Sequence, residues 1–447
     1  MTPDFSPRKA AFHTLGCKLN FAETSTIGKM LSERGFRRAN PEEEPDIVVV
    51  NTCSVTEMAD KKGRSLIRRL SRRWPEATLV VTGCYAQLKP DEVAAIEGVD
   101  IVLGSNEKLR ISEYLDMWER EHRPVVESTR PQEITEFRPS CERGDRTRWW
   151  LKVQDGCDYY CTYCTIPYAR GRSRSGRIAD LVSQARKAAE AGGREIVLTG
   201  VNIGEFGRDT GEAFLDLLKA LDSVEGITRY RISSIEPNLL TEEIISWVAE
   251  KSRAFMPHFH IPLQAGSDHV LKLMNRRYDT ALFASRIETV KRLIPDAFIG
   301  VDVIAGARGE TVEEWNKSLE FIRSLDVTRL HVFPYSERPG TAALMMNAES
   351  VDPAERHRRV AVLQNISEGK LREFSESMVG SVRPVLWEHA VHDAPADMPL
   401  MSGLTDNYLR VVAPLDETLL NTITPARLEG IDPDREETLA ATVVKTE

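Results

Sequence analysis

The chain has 447 residues, 41% of them hydrophobic and 28% charged, with a formal net charge of −9 and seven cysteines. At about 100 to 200 residues per domain this length makes two to four domains with ample core, and no apolar run approaches the ~20 residues of a membrane helix. Net acidity argues against a protein that coats nucleic acid indiscriminately, because such binding rests on phosphate neutralisation over a whole surface.

The amino-terminal MTPDFSPRKAAFHTLGC lacks the long apolar core of a signal peptide. The thiols are therefore expected in a reducing cytoplasm, where disulfides are the weaker reading. Across residues 8–125, AAFHTLGC, DIVVVNTC, ATLVVTGC and VDIVLG are β-rich runs separated by helix-compatible segments, the pattern of a parallel α/β sheet. Cys17, Cys53 and Cys84 each end such a run. Strand carboxyl ends share one edge of an open α/β sheet, so cysteines distant in sequence can converge there. One of them alone would be a small hydrophobe; three in equivalent places point to a three-thiolate site. KKGRSLIRRLSRR at 61–73 contains no acid and is either a phosphate-binding surface or a solvated helix face. Residues 125–145 show no period and read as a linker, with Cys141 lacking a partner at a metal-binding spacing.

From 148 to about 335 a strand-then-helix alternation repeats six times, through WLKVQD, REIVLTGV, RYRISSIE, HFHIPLQ, FIGVDVIAG and RLHVFPYS. Six βα units in a row predict a partial barrel related to the eightfold one, with its chemistry at the strand carboxyl ends. A helix over 353–377 closes it. In a strand, alternate residues share a face, which puts His258, His260 and Gln264 together, and likewise Asp302, Ile304 and Gly306. From about 378 short alternating segments such as SVRPVLWEH and TDNYLRVVAP predict a small antiparallel β-barrel. The expected domains are 8–125, 143–375 and 377–447.

CDYYCTYC at 157–164 follows the first strand of the barrel, and the basic ARGRSRSGR at 169–177 follows it directly. Structural zinc takes four closed ligands, whereas C-x3-C-x2-C has no fourth cysteine or nearby histidine. Iron–sulfur cubanes are normally held by four thiolates, so three leave one iron open to a small molecule. The motif, with Tyr163 just before the third cysteine, resembles the signature of the radical S-adenosylmethionine (SAM) enzymes. The resemblance implies that Cys157, Cys161 and Cys164 hold a [4Fe–4S] cluster whose open iron chelates SAM, and that reductive cleavage of SAM releases a 5′-deoxyadenosyl radical. It also implies further cofactor contacts: Tyr163, Gln264, Glu195 near the SAM amino group, Ser234 and Glu236 near the ribose, and Ile304, Gly306 and Glu310 near the adenine. The last three match the family's usual Ile, Gly and Glu spacing, while their surroundings depart from it, since Asp302 stands where a Gly is common and ARGET at 307–311 replaces FPGET.

Three spaced cysteines, a radical SAM barrel and a β-barrel tail together resemble the methylthiotransferases over nearly the whole chain. That family implies a second [4Fe–4S] cluster on Cys17, Cys53 and Cys84, carrying the sulfur that replaces a C–H bond, and a TRAM tail that grips RNA. Two molecules of SAM are then consumed per product. TLGCKLN, followed by FAET, is similar to members acting on N6-threonylcarbamoyladenosine-37 of tRNA; members acting on isopentenyladenosine usually read GCQMN, and those acting on a ribosomal-protein aspartate GCPKN. Lys18 and Leu19 thus favour the first substrate. The expected partners are a tRNA anticodon loop, with the base swung out of its stack, and sulfur and electron donors of unknown identity. Tyr408 and Arg410 are candidate RNA contacts, with core packing the competing role for Tyr408. Nothing demands an oligomer, so a monomer is expected. A zinc-holding RNA-binding protein is the non-catalytic alternative.

Overall fold

The computed structural model describes residues 7–144, 146–394 and 398–444; the last residues of the expected 377–447 domain and the end of the 125–145 segment lie outside them. The first layer is built from β1 (Lys9–Thr14), α1 (Lys18–Glu33), β2 (Arg37–Arg38), β3 (Ile47–Thr52), α2 (Glu57–Arg73), β4 (Thr78–Gly83), α3 (Cys84–Leu88), α4 (Pro90–Ala94), β5 (Ile101–Leu103), α5 (Ile111–Glu121) and β6 (Val125–Glu127). Its strands form one parallel sheet in the order β2-β1-β3-β4-β5-β6. Every residue of β3 and β4 is buried, as continuous β-branched runs covered by helices on both faces should be. Thr56 caps α2 by accepting from the Ala59 N–H. Asp60, Gly63, Ile67 and Leu70 of α2 are buried on one face, while Lys61, Lys62, Arg68, Arg69, Arg72 and Arg73 are exposed on the other.

The second unit begins earlier than the sequence pattern indicates. Within 125–145, β6 completes the first sheet and β7 (Ser140–Glu142) pairs antiparallel with β8 (Trp149–Lys152), burying Cys141 in the barrel core. The absence of a period there reflects strands of three residues, too short to show one. The chain continues through β9 (Gln154–Asp155), α6 (Ile166–Arg170), β10 (Arg174–Ser175), α7 (Ile178–Glu190), β11 (Glu195–Thr199), α8 (Phe214–Asp222), β12 (Arg229–Arg231), α9 (Glu242–Glu250), β13 (His258–His260), α10 (Asp268–Leu273), α11 (Thr280–Leu293), β14 (Phe298–Ala305), α12 (Val312–Ser324), β15 (Arg329–Pro334) and α13 (Pro353–Ser377). Strands β8, β11, β12, β13, β14 and β15 run parallel in that order, with the β12 to β13 step made only by the bridges Tyr230↔Phe255 and Ser234↔His260. This is the expected six-stranded partial barrel. Asp352 caps α13 by accepting from the N–H groups of Ala354 and Glu355, and Pro353 opens it.

The last unit is a closed barrel of β16 (Val382–Ala390), β17 (Leu400–Thr405), β18 (Arg410–Pro414), β19 (Ile423–Ile431) and β20 (Thr438–Val443), in the cyclic order β16-β17-β18-β20-β19 around a fully buried Trp387. Four pairs are antiparallel, but β18 and β20 run parallel. A ring of alternating directions closes only with an even number of strands, so five force one parallel pair.

Candidate active site

The amino-terminal cysteines stand where β1, β3 and β4 end, on one edge of the sheet. Two glycines let their turns close. Gly16 (φ +100°) precedes Cys17, and a Cβ there would stand 2.6 Å from Cys53 Cβ; Gly83 (φ +98°) precedes Cys84, and a Cβ there would stand 2.3 Å from the Thr52 carbonyl. Asn20, one turn into α1, donates to the carbonyls of Leu15 (2.8 Å) and Thr52 (3.1 Å), tying the Cys17 turn to the Cys53 turn.

The barrel cysteines lie on the loop after β9. Gly156 (φ +70°) starts it, where a Cβ would meet the Arg172 carbonyl at 2.0 Å. Thr162 N–H donates to the Met274 carbonyl, and the Ala343 N–H donates to the Thr162 carbonyl, pinning the middle of the loop. Each sulfur faces an N–H: Tyr159 to Cys157 (3.5 Å), Ile166 to Cys164 (3.4 Å) and Arg276 Nη1 to Cys161 (3.0 Å). Such donors stabilise a thiolate and tune iron–sulfur potentials.

All six cysteines line one cavity of about 950 Å³, between the first sheet, the barrel mouth and the carboxyl-terminal barrel. Among the described residues no three His, Cys, Asp or Glu side chains are drawn around the position of a single metal ion. Three separate turns, each offering one thiol to a shared space, suit a multi-iron cluster in which each sulfur binds a different iron. Burial pushes Cys53 and Cys164 up to about 12 and raises Cys84, Cys157 and Cys161 as well. Metal binding must therefore displace protons from these thiols.

Tyr163, Ser234, Glu236 and Gln264 line the same cavity, together with His258, His260 and Asp302. His260 Nε2 contacts Asp302 Oδ1 at 2.8 Å, and Gln264 adopts φ 67° where it bridges to Val303. Arg276 joins Cys161 to Glu236, whose carboxyl is raised by burial despite that guanidinium. Sequence reasoning missed Arg276, which lies 115 residues from Cys161 in NRRYD and carries no motif.

Four expected contacts stand elsewhere. Glu195 opens β11, at the end of the strand away from Thr199 and Gly200, which line the cavity. It is fully buried against Arg231 (2.7 Å), Arg229 (3.6 Å) and Arg148 (4.0 Å); burial favours its protonation, but the guanidiniums of Arg231, Arg148 and Arg229 hold it below the usual carboxylate range. Arg229 and Arg231 also donate to the carbonyls of Leu404, Pro384, Asp406 and Thr405. Glu195 thus fixes the arginines that dock the carboxyl-terminal barrel. Ile304, Gly306 and Glu310 do not line the cavity either. Glu310 accepts from the Gly306 N–H (2.7 Å) and from Arg359 Nη1 (2.8 Å), a buried staple that shapes the turn after β14.

A buried ionic network joins the two halves of the site. Glu23, from FAET, meets Lys108 (2.6 Å), Lys152 (3.1 Å) and Arg170 (3.0 Å); Asp155 meets Lys152 (2.7 Å), Arg170 (3.0 Å) and Arg174 (3.0 Å). Arg170 also donates to Asn20 Oδ1 at 2.7 Å. The basic run 169–177 is thus partly internal, with Arg170 and Arg174 buried and Arg172 and Arg177 exposed. A second link joins Arg338 to Ser54 and Asp60, both at 2.8 Å.

Residues 9–104 match the Uncharacterized protein family UPF0004, and residues 151–322 match the Radical SAM superfamily. The chain is similar to a protein of Bacillus subtilis (strain 168) named threonylcarbamoyladenosine tRNA methylthiotransferase MtaB, at 40% identity over 94% of this chain and 93% of that one. It is also similar to a tRNA-2-methylthio-N(6)-dimethylallyladenosine synthase of Desulfitobacterium hafniense (strain Y51), at 30% identity over 93% and 94%. Among solved structures it shares its fold with the radical S-adenosylmethionine methyltransferase TsrM of Kitasatospora setae, at TM-score 0.55 and 15% identity over 75% of this chain and 77% of that one.

Proposed function

Because the chain belongs to the radical SAM methylthiotransferases, we propose that it converts N6-threonylcarbamoyladenosine at position 37 of tRNA to the 2-methylthio derivative. The observation that carries the reading is the single cavity onto which both cysteine triads open. Greater identity to the relative named for threonylcarbamoyladenosine, 40% against 30%, supports this substrate over isopentenyladenosine.

The residues present fit two [4Fe–4S] clusters, on Cys157, Cys161 and Cys164 and on Cys17, Cys53 and Cys84. When bound, these clusters and SAM supply the hydrogen-abstracting, sulfur-donating and methyl-donating chemistry. The chain itself holds the thiols in reach of one space and directs N–H groups at the barrel sulfurs. Arg276 bridges Cys161 and Glu236, and Tyr163, Ser234 and Gln264 supply the polar wall on the SAM side. The adenine enters by leaving its stack in the anticodon loop, since a duplex or stacked base presents C2 to neither triad. The setting is the cytoplasm, the chain acts as a monomer, and sulfur and electrons come from donors outside the chain.

Mass spectrometry of tRNA nucleosides from a deletion strain tests the substrate. The 2-methylthio form of threonylcarbamoyladenosine should vanish and its unmodified parent accumulate; loss of the isopentenyl counterpart instead would overturn the assignment.

A further inference from the structure

We propose that Lys18 binds the carboxylate of the threonylcarbamoyl group and so selects an acidic N6 substituent over a neutral one, an inference that rests on the substrate assigned above. Six cationic side chains line the cavity. Four are already neutralised: Arg148 by Glu388 (2.8 Å), Arg170 by Glu23 and Asp155 (both 3.0 Å), Arg276 by Glu236, and Arg329 by Glu437 (2.8 Å). Arg410 is exposed on the carboxyl-terminal barrel, suited to backbone phosphate outside. Lys18 is half-buried and, among the described residues, has neither an ion pair nor a hydrogen-bond acceptor. A cation in that position is free to pair with an anion brought in from outside the chain.

Adenine chemistry says which anion reaches it. C2 and C6 flank N1 on one edge of the ring, so a base that offers C2 to the amino-terminal triad brings its N6 substituent to the same wall. Lys18 follows Cys17 directly, and its side chain cannot leave that neighbourhood. Lys18 lines the cavity together with Asp302 and His331 of the barrel and Tyr408 opposite, and although burial is the larger influence on each of these three, its charge also reaches them. Asp302 is held by His260 at 2.8 Å and so does not claim it. The threonylcarbamoyl group ends in a carboxylate, which an ammonium pairs with. An isopentenyl group would bury that ammonium with no partner, a penalty that discriminates more strongly than a missing contact.

The test uses anaerobically reconstituted holoenzyme and anticodon stem–loop RNAs carrying threonylcarbamoyladenosine or its neutral carboxamide. Wild type should bind the acid about tenfold or more tighter than the amide, as charged hydrogen bonds allow. Lys18→Met should bring that ratio close to one, and Lys18→Arg should restore most of it. Should Lys18→Met lose iron, Lys18→Gln carries the same comparison. An undiminished ratio in iron-replete Lys18→Met, or no preference in a wild type that turns over the acid, overturns the inference alone. Wild-type turnover of isopentenyladenosine RNA in place of the acid overturns both the substrate assignment and the inference.

Discussion

On the proposed division of labour each cysteine triad holds its own cluster, so single substitutions should separate the two. Cys161→Ala removes the sulfur that faces Arg276 and should abolish formation of 5′-deoxyadenosine along with product. Cys53→Ala should abolish thiomethylation while leaving some 5′-deoxyadenosine. Iron should fall from about eight per chain to about four in each variant, as cubanes hold four irons. Unchanged iron in either variant would sink the cluster assignment. That these six residues converge on one cavity was legible in the sequence because each ends a run of strong β character or belongs to a tight motif. Glu195 and Glu310 were not. Their sequence contexts say acidic and near a strand end, but which end, and which arginine answers the charge, is decided by Arg231 and Arg359, 36 and 49 residues away. Arg276 and Glu23 were invisible for the same reason, their partners being distant in sequence.

At the level of elements, the turn that carries Cys84 depends on a backbone shape that only glycine adopts readily. Gly83→Ala would place a methyl against the Thr52 carbonyl at φ +98°. It should cost at least about 1–3 kcal/mol of stability, read by denaturant unfolding, and lower the iron content by about four while the barrel cluster remains. The sheet around it was readable from continuous apolar runs, and so were the six barrel strands. The extra strands β2, β6 and β7 were not, because two or three residues without a longer apolar or alternating run around them display no period. Helix α2 settles the ambiguity of 61–73 in part: its basic face is solvated, with no acid among the exposed residues of that run. Reversing Lys61 and Arg68 to Glu should weaken RNA binding uniformly across tRNAs and flatten its salt dependence, by a log–log slope of roughly 0.7–0.9 per lost phosphate contact. An unaltered slope would mean that this face does not touch RNA.

In the molecule as a whole, the sheet and the barrel are joined mainly by charges, with only the small apolar cluster of Ala22, Trp150 and Val197 packed across the junction among the described residues. Glu23 comes from α1, yet Lys152, Arg170 and Asp155 belong to the barrel. Replacing Glu23 by Gln leaves Lys108, Lys152 and Arg170 buried with too little compensation. Breaking such a network costs about 3–5 kcal/mol, and the sheet and barrel should then unfold in separate steps in calorimetry. A single transition at the wild-type temperature would refute that role.

Helix α6 gives this junction its dimensions. It begins two residues after Cys164 and ends on Arg170, whose guanidinium lends positive charge to Cys84 on the opposite side. Five residues of helix measure about 7.5 Å, so a rigid strut spans from the Cys164 turn to the arginine beside Cys84. One inserted residue would swing Arg170 by about 100° and unhook it from α1, which makes the length of this strut, like the rungs of a ladder, adjustable only in whole steps.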